Sequence, residues 1–288
     1  MKGKMSRLLL LAGTGLCIVG IAVGCDGFAV SEPETETEVT NGYTLVWSDE
    51  FDGDSINSSI WSHNTGGEWW GSREQTYFTD VTIGDSRNSY VANGFLHIVA
   101  RAEAYKLNQF TSARLTTKDK KSITYGRIEA RIKAPHKTIS KEMSEGVWPA
   151  FFMLGDSIPM DSGWPHGGEI TVWESGGLDP DLVRGALWWL NDNQPVHVTV
   201  ETNHHTPLHH DFNVYAVEWD YNTIAWFIND DRVGIRNIGG MGDVFRQPFH
   251  VVLSLEVEGL SPSFVGQANP TDYPQVMLVD WVRVWEKL

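Results

Sequence analysis

Six stretches of the chain alternate apolar with polar residues, and this two-residue period constrains the fold more than any other feature. They are GFLHIVARAE (94–103), YGRIEARIKA (125–134), DFNVYAVEWD (211–220), TIAWFIND (223–230), PFHVVLSLEV (248–257) and MLVDWVRVW (277–285). β-branched and aromatic residues are frequent in these stretches, and Gly, Asn, Asp and Pro bound them, as is typical of β-strands. No window of twelve or more residues keeps a helical period. The pattern predicts an all-β fold in which two antiparallel sheets pack as a sandwich.

The N-terminal residues have a different composition from the rest of the chain. Three basic residues precede an uncharged apolar run at 8–23, which ends in small residues just before Cys25. A basic start, an apolar centre and small residues before a cleavage point are typical of a secretory signal. Small residues directly before a cysteine resemble the lipobox of bacterial lipoproteins. We therefore predict a signal peptide at 1–24 and acylation of Cys25, with plain secretion and an uncleaved membrane anchor as the alternatives.

Residues 25–43 are predicted to form a flexible tether. Their stretch SEPETETEVTNG (31–42) is acidic and polar, a composition that favours disorder. Apolar and aromatic residues continue from there to the C-terminus without a second linker or an internal repeat, so 44–288 is predicted to be one domain. The expected protein is an exported monomer, held at a bacterial membrane only by its lipid.

Charge and cysteine content exclude several classes of function. The formal net charge is −15, and the predicted signal peptide carries basic but no acidic residues, so the exported part is more acidic still. Such a surface repels phosphate backbones, which argues against a nucleic-acid partner, and it weighs against a strongly sulfated polysaccharide. Cys17 and Cys25 are the only cysteines, so 44–288 can contain neither a disulfide nor a thiolate metal site.

The segment WPHGGEITVWESGG (164–177) carries the strongest functional signal, because Glu169 and Glu174 lie in one apolar strand between two glycine pairs. An offset of five residues places side chains on opposite faces of a regular strand. A β-bulge between them would bring both to one face, and such bulges are common beside active sites. Retaining glycosidases use two carboxyl groups ~5 Å apart. Taken alone, the two glutamates suit a solvated strand edge better than a catalytic pair.

The same segment resembles the signature G-E-I-D-I-M-E of the laminarinase-like branch of glycoside hydrolase family sixteen. The resemblance implies that Glu169 is the nucleophile, that Glu174 is the acid/base and that Thr171 stands in place of the assisting aspartate. It extends over 44–288. The matching segments are LVWSDEFDG (45–53), WWGSREQTYFTD (69–80), TSARLTTKDKKSITYGRIEARIKAP (111–135), GVWPAFFMLG (146–155) and VDWVRVW (279–285).

The resemblance further implies a β-jelly roll with an open cleft and a retaining, endo-acting hydrolysis of a β-1,3-glucan or a mixed-linkage β-glucan. It places Trp148, Trp164 and Trp188 against the polysaccharide, where indole faces suit pyranose rings. Arg114 and Glu74 match cleft positions as well, or form a structural ion pair. The tryptophans expected in the core are Trp47, Trp219, Trp226, Trp281 and Trp285.

No cofactor is expected for catalysis, but the resemblance implies a structural Ca²⁺ away from the cleft. Asp280 matches the family's ligand, with Glu50 and the carbonyl group of Gly94 as its expected companions; oxygen atoms of this kind suit calcium. A plain buried aspartate at position 280 is the alternative. The histidine pairs 204–205 and 209–210 raise the possibility of a second metal site, although their Thr/Asn/Pro-containing surroundings favour a solvated loop.

Three departures from the family pattern predict altered subsites or weakened activity. Thr171 removes a charge between the glutamates, SLEVEG (254–259) replaces the usual N-L-A-V-G-G, and GALWW (185–189) lacks a common histidine. Two other functions therefore stay open. One is a hydrolase or transglycosylase of another glycan, such as an algal galactan, and the other is a sugar-binding protein with little turnover.

Overall fold

A computed structural model describes residues 39–40, 42–67, 75–80, 82–83, 86–137, 142–157, 164–203, 208–258 and 262–288. Strands dominate these residues, as the sequence predicts, and all six alternating stretches are strands. Within the described part of the chain, no helix is long and apolar enough to cross a membrane.

The strands are numbered in chain order: β1 (Val39–Thr40), β2 (Tyr43–Asp49), β3 (Ser62–His63), β4 (Thr76–Phe78), β5 (Thr82–Ile83), β6 (Ser86–Arg87), β7 (Ser89–Ala92), β8 (Phe95–Tyr105), β9 (Asn108–Ser112), β10 (Arg114–Thr116), β11 (Ser122–Ile123), β12 (Gly126–Lys137), β13 (Val147–Gly155), β14 (Glu169–Gly176), β15 (Asp179–Asn191), β16 (Gln194–Asn203), β17 (Asn213–Trp219), β18 (Thr223–Ile228), β19 (Asp231–Asn237), β20 (Phe249–Val257) and β21 (Gln275–Lys287). The helices are α1 (Pro262–Val265) and a 3-10 turn at Pro270–Asp272.

Two large sheets contain almost all of the described strands. The back sheet has the order β19-β18-β17-β12-β21-β8-β9-β4, with β2 also on β21 and β7 also on β8. The front sheet has the order β16-β15-β14-β13-β20-β10-β3, with β11 also on β20. The pairing is antiparallel except between β4 and β9. This arrangement confirms the predicted sandwich.

The hydrophobic core lies between the two sheets. On the back sheet, alternate residues such as Ile128 and Val282 point inward and are fully buried, and Phe151 and Leu253 do the same on the front sheet. Burial of aliphatic and aromatic side chains at every second position stabilises the sandwich, at about 25 cal/mol for each Å² of apolar surface removed from water. The remaining positions of the front sheet face away from the core, and we call this its outer face.

Candidate active site

A β-bulge brings Glu169 and Glu174 to the outer face of the front sheet. Residue 171 pairs with Phe152 of β13, but residue 173 pairs with Phe151, so Val172 is the additional residue in β14. Glu169 and Glu174 consequently pair with Leu154 and Ala150, which have the same parity in β13. This confirms the bulge that the odd spacing requires, and it places Thr171 on the same face between the two carboxyl groups.

Three rows of side chains cross the outer face through these residues. Ala150, Phe152 and Val252 on this face form a small apolar cluster separate from the main core. Glu174 lies in one row with Ser254, Ala150, Arg184 and Glu201. Thr171 lies in the next row with Val252, Phe152, Ala186 and Thr199. Glu169 lies in the third row with His250, Leu154, Trp188 and His197.

Glu169 accepts one hydrogen bond on each of its carboxylate oxygens. Trp164 Nε1 donates to Oε2 at 2.6 Å, and Thr171 Oγ1 donates to Oε1 at 2.7 Å. Burial raises the pKa of Glu169, while the two donors and the charge of Arg114 oppose that rise. Donors to the ionised form of a carboxylate favour that form. These contacts therefore favour the ionised form of Glu169.

Glu174 lies in a different environment from Glu169. It is 8% exposed, and Trp148 Nε1 donates to its Oε2 at 3.0 Å. Burial raises the pKa of Glu174 to about 7; the charge of Arg184 lowers it, and the charge of Glu169 adds to the rise. A carboxyl group with a pKa near neutral pH can donate a proton and later accept one. The two glutamates therefore differ in their hydrogen-bond donors and in their neighbouring charges.

The tryptophans divide between the outer face and the core. Trp148 and Trp164 contact the two glutamates, and Trp188 lies beside Trp164, with ring centroids 4.8 Å apart, and stacks on the His197 ring. All three predicted sugar-binding tryptophans thus meet at the site. Trp173 is fully buried and stacks on Tyr215, because the bulge turns position 173 toward the core.

Four of the five tryptophans expected in the core are buried there, and the prediction for the fifth is wrong. Those four are Trp47, Trp219, Trp226 and Trp285. Trp281 is only partly buried, and the Arg283 guanidinium lies 4.2 Å from its ring centroid. A register shift between β12 and β21 next to Trp281 interrupts the alternation of inward-facing and outward-facing residues along β21.

Arg114 lies on the outer face and approaches a carboxylate that the family pattern does not contain. Its Nη1 is 3.7 Å from Oε1 of Glu256, and Ser254 Oγ donates to the same oxygen at 3.0 Å. Glu256 in turn pairs with Trp148 across β20 and β13. Arg114 therefore lies on the face that carries the two glutamates, and its contact with the polysaccharide stays a prediction. The SLEVEG departure places a buried charge pair, Arg114 and Glu256, beside Trp148. The other acidic residue of that departure, Glu258, accepts from the Ala268 amide at 2.9 Å.

The bulge is supported from behind by the back sheet. Trp226 of β18 donates its indole N–H to the main-chain carbonyl of Thr171 at 2.8 Å. The indole fits because residue 185 of β15 is glycine: a Cβ atom there would lie 2.3 Å from Trp226 Nε1. The packing between the sheets thus fixes the strand segment that carries both glutamates.

We predict that Gly185→Ala lowers both the melting temperature and kcat. The added methyl group has to displace the Trp226 indole, and overpacking of this kind costs about 1–3 kcal/mol. Gly240→Ala is the matched control, because no atom lies within 4 Å of a Cβ at Gly240. Thermal unfolding and steady-state rates for both variants measure the effect; equal stability of the two would show that the indole does not confine residue 185.

The residues expected to bind calcium come from elements that meet on the back sheet, but their carboxylates already have cationic partners. Asp280 Oδ2 accepts from Arg131 Nη1 at 2.5 Å, and the two carboxylate oxygens of Glu50 accept from Arg283 at 2.9 and 2.8 Å. The described residues contain no group of three or more Asp, Glu, His or Cys side chains that could hold a metal. Glu50 is therefore poorly suited as a ligand, and the calcium site stays a prediction that depends on Asp280 and the carbonyl of Gly94.

Several predicted residues lie outside the described part of the chain. They are Cys25 with the signal peptide, Glu74, and the histidine pair at 204–205. Arg184, which lies opposite Glu174 on β15, was not singled out from the sequence. The signal for it was its even offset from Trp188 in a strand that follows β14 directly.

Comparison with known proteins places this geometry in a family. The model of Glycosyl hydrolases family 16 matches residues 79–257. A β-glucanase of Rhodothermus marinus is 33% identical over 279 residues, which cover 93% of this chain and 92% of that protein. The solved laminarinase structure from Rhodothermus marinus superposes with a TM-score of 0.74 at 33% identity, over 85% of this chain and 98% of that one.

The solved endo-β-1,3-glucanase of Pyrococcus furiosus superposes with a TM-score of 0.72 at 30% identity, over 85% of this chain and 95% of that one. These likenesses confirm the predicted jelly-roll fold and the laminarinase-like resemblance. Because the family model matches more than half of this chain, the chain belongs to glycosyl hydrolase family 16 and is a glycosidase that hydrolyses O-glycosyl bonds.

Proposed function

We propose that the protein is a retaining, endo-acting β-1,3-glucanase. The observation that carries the proposal is the bulge at Val172, which sets Glu169 and Glu174 on one face in two different environments. Trp148, Trp164 and Trp188 beside them supply flat apolar surfaces for pyranose rings. Similarity to laminarinases at 33% identity over nearly the whole chain supports a β-1,3-glucan as the substrate.

The proposed reaction has two steps. Glu169, ionised and oriented by Trp164 and Thr171, attacks the anomeric carbon while Glu174 donates its proton to the departing glycosidic oxygen. The anomeric carbon–oxygen bond breaks and a glycosyl ester of Glu169 forms. Water then attacks the same carbon as Glu174 takes up its proton, and the ester bond breaks. Two inversions give net retention.

Digestion of laminarin tests the proposal, with a mixed-linkage glucan and a neutral galactan as comparison substrates. We expect reducing ends from laminarin, a fast fall in its mean chain length as in endo action, and a β-anomer as the first product in proton NMR. Terminal release of glucose alone would refute endo action, and an α-anomer would refute retention. Binding of laminarin without any product would indicate a sugar-binding protein.

Replacing Thr171 by aspartate is expected to move the alkaline limb of the pH–rate profile to higher pH. The new carboxylate would lie between Glu169 and Glu174, and like charges at close range oppose ionisation of the acid/base. A shift of one unit corresponds to about 1.4 kcal/mol and is measurable in kcat/KM against pH. We also expect kcat to rise. Thr171→Asn is the control without the charge; a limb that stays in place in Thr171→Asp would show that the site is adapted to threonine.

We further propose that Cys25 is acylated and becomes the N-terminal residue when residues 1–24 are removed, and that its lipid holds the enzyme on the periplasmic or cell-surface side of a bacterial membrane. In the expressing cell, Cys25→Ser is expected to abolish lipid labelling and to release the protein into the soluble fraction, because the predicted tether contains no other membrane-binding feature. Cys17→Ser is the matched control and should remain lipidated. Membrane association that persists in Cys25→Ser would indicate an uncleaved anchor.

A further inference from the structure

Arg184 lies between the acid/base and a second carboxylate in one row of the outer face. Its register partners are Glu174 on β14 and Glu201 on β16, so three charges of alternating sign stand side by side. Arg184 Nε donates to Glu201 Oε1 at 2.8 Å, whereas its Nη1 is 3.6 Å from Glu174 Oε1. The guanidinium thus interacts with both carboxylates and lies closer to Glu201.

An aromatic ring from α1 fixes the position of this guanidinium. The Cζ atom of Arg184 lies 3.8 Å from the centroid of the Phe264 ring, a cation–π contact. Phe264 also packs edge-on against Trp148, which donates to the other oxygen of Glu174. Glu174 is therefore held between two side chains that share one aromatic neighbour, and Arg184 has little freedom to move away from it.

The charged groups around Glu174 come from several strands, and one of them counteracts the rise in pKa that burial causes. Glu169 on β14 disfavours a negative charge on Glu174. Arg114 on β10 and Glu256 on β20 form a pair of opposite charges on the far side of β13. From β15, Arg184 is the cation next to the carboxyl, while Glu201 on β16 partly neutralises it. Among the described residues, Arg184 is thus the main counter-charge for an ionised Glu174.

We propose that Arg184 is a positioning residue that acts through Glu174, stabilising its ionised form and so favouring the second, water-activating step of the reaction. The inference rests on the proposed two-step mechanism. A guanidinium within about 4–6 Å favours the charged form of a carboxyl. Burial and the charge of Glu169 outweigh the effect of the guanidinium, so Glu174 still takes up a proton near neutral pH, as the first step requires. The position of Arg184 beside a buried Glu174 therefore serves both steps.

The test compares Arg184→Gln, Arg184→Lys and Glu201→Gln with the wild-type enzyme. For Arg184→Gln we expect the alkaline limb of kcat/KM on laminarin to move upward by about one pH unit, the lower end of the usual effect of a neighbouring charge. The acid limb of deglycosylation, measured with an activated aryl β-glycoside, should move upward equally because the same group titrates. Below that limb, deglycosylation should be slowed by up to about tenfold.

The two other variants give opposite controls. Glu201→Gln leaves the guanidinium with Glu174 as its nearest carboxylate, so both limbs should move to lower pH. Arg184→Lys keeps the charge and should restore the limbs at least in part. If Arg184→Gln loses activity at all pH values with both limbs unmoved, or if Glu201→Gln moves them upward, the inference is wrong and Arg184 has a purely structural function.

A measurement without substrate separates this inference from the proposed function. In protein labelled with ¹³C at the glutamate carboxyl groups, the Glu174 resonance, assigned by its loss in Glu174→Gln, can be titrated by NMR. Arg184→Gln should raise its midpoint and Glu201→Gln should lower it. If the wild-type enzyme hydrolyses no glucan and these shifts still occur, the proposed function fails while the action of Arg184 on Glu174 stands. Unmoved midpoints in an active enzyme would overturn the inference alone.

Discussion

Replacing Glu169 by glycine is expected to reduce kcat on laminarin on the order of 10⁴- to 10⁶-fold, the scale of loss when a covalent nucleophile is removed. The Trp164 indole and the Thr171 hydroxyl, which both donate to Glu169, would then border a space where the carboxylate was. Azide is small enough to enter that space and can form the bond to the anomeric carbon. With an activated aryl β-glycoside, added azide should restore part of the turnover and yield an α-glycosyl azide, with inverted configuration.

The configuration of the azide product makes this result specific. A variant that was merely misfolded would gain nothing from azide, and the exposed Glu286 of β21 provides the control Glu286→Gly, which should keep full activity. If Glu169→Gly retains most of its activity, or if azide produces the β-glycosyl azide instead, Glu169 is not the nucleophile.

The second large effect is expected for Glu174→Ala, and it should depend on the leaving group. General acid–base catalysis contributes about 10²–10⁴-fold, so hydrolysis of laminarin should fall by that factor. A dinitrophenyl β-glycoside needs little protonation to leave, so its first step should be nearly unaffected and the glycosyl ester on Glu169 should accumulate. Azide should then attack that ester and give a β-glycosyl azide, with retained configuration.

The two variants are thus expected to give glycosyl azides of opposite configuration. Together, the two products would assign Glu169 as the nucleophile and Glu174 as the acid/base. Mass spectrometry of Glu174→Ala with the activated substrate should detect the glycosyl ester on the peptide that contains Glu169. An equal loss on laminarin and on the dinitrophenyl glycoside would contradict an acid/base function for Glu174.

Stability measurements provide a readout of Glu174 that requires no substrate. Burial raises its pKa to about 7 in the folded protein, from an ordinary value of 4.5. Between these two values the folded state binds more protons than the unfolded state, so this residue makes folding less favourable as the pH rises from 4.5 to 7. Glu174→Gln cannot ionise, and we expect it to raise the melting temperature relative to wild type more at pH 8 than at pH 4.

Much of the fold could be predicted because a two-residue period is a local property of the sequence. The six alternating stretches are strands in the structure, with small differences at their ends. The glutamate pair was assigned through the resemblance to the family signature, and its odd spacing required a β-bulge for both side chains to share a face; the structure contains that bulge at Val172. Trp281 shows where this reasoning failed, since a register shift that the sequence does not reveal changes the direction of a side chain.

The sequence by itself determined the class of fold, the family and the two carboxyl groups of the site. Only the tertiary structure decided how these groups differ, because desolvation and charge depend on residues that are distant in the sequence. Trp226 donates a hydrogen bond to Thr171 in the bulge although the two are 55 residues apart in the sequence, and Arg283 donates to Glu50 although these two are 233 residues apart. Arg184 becomes a partner of Glu174 only when β15 pairs with β14. Electrostatic effects depend on distances of a few ångströms in space, and the spacing of residues along the chain does not give those distances.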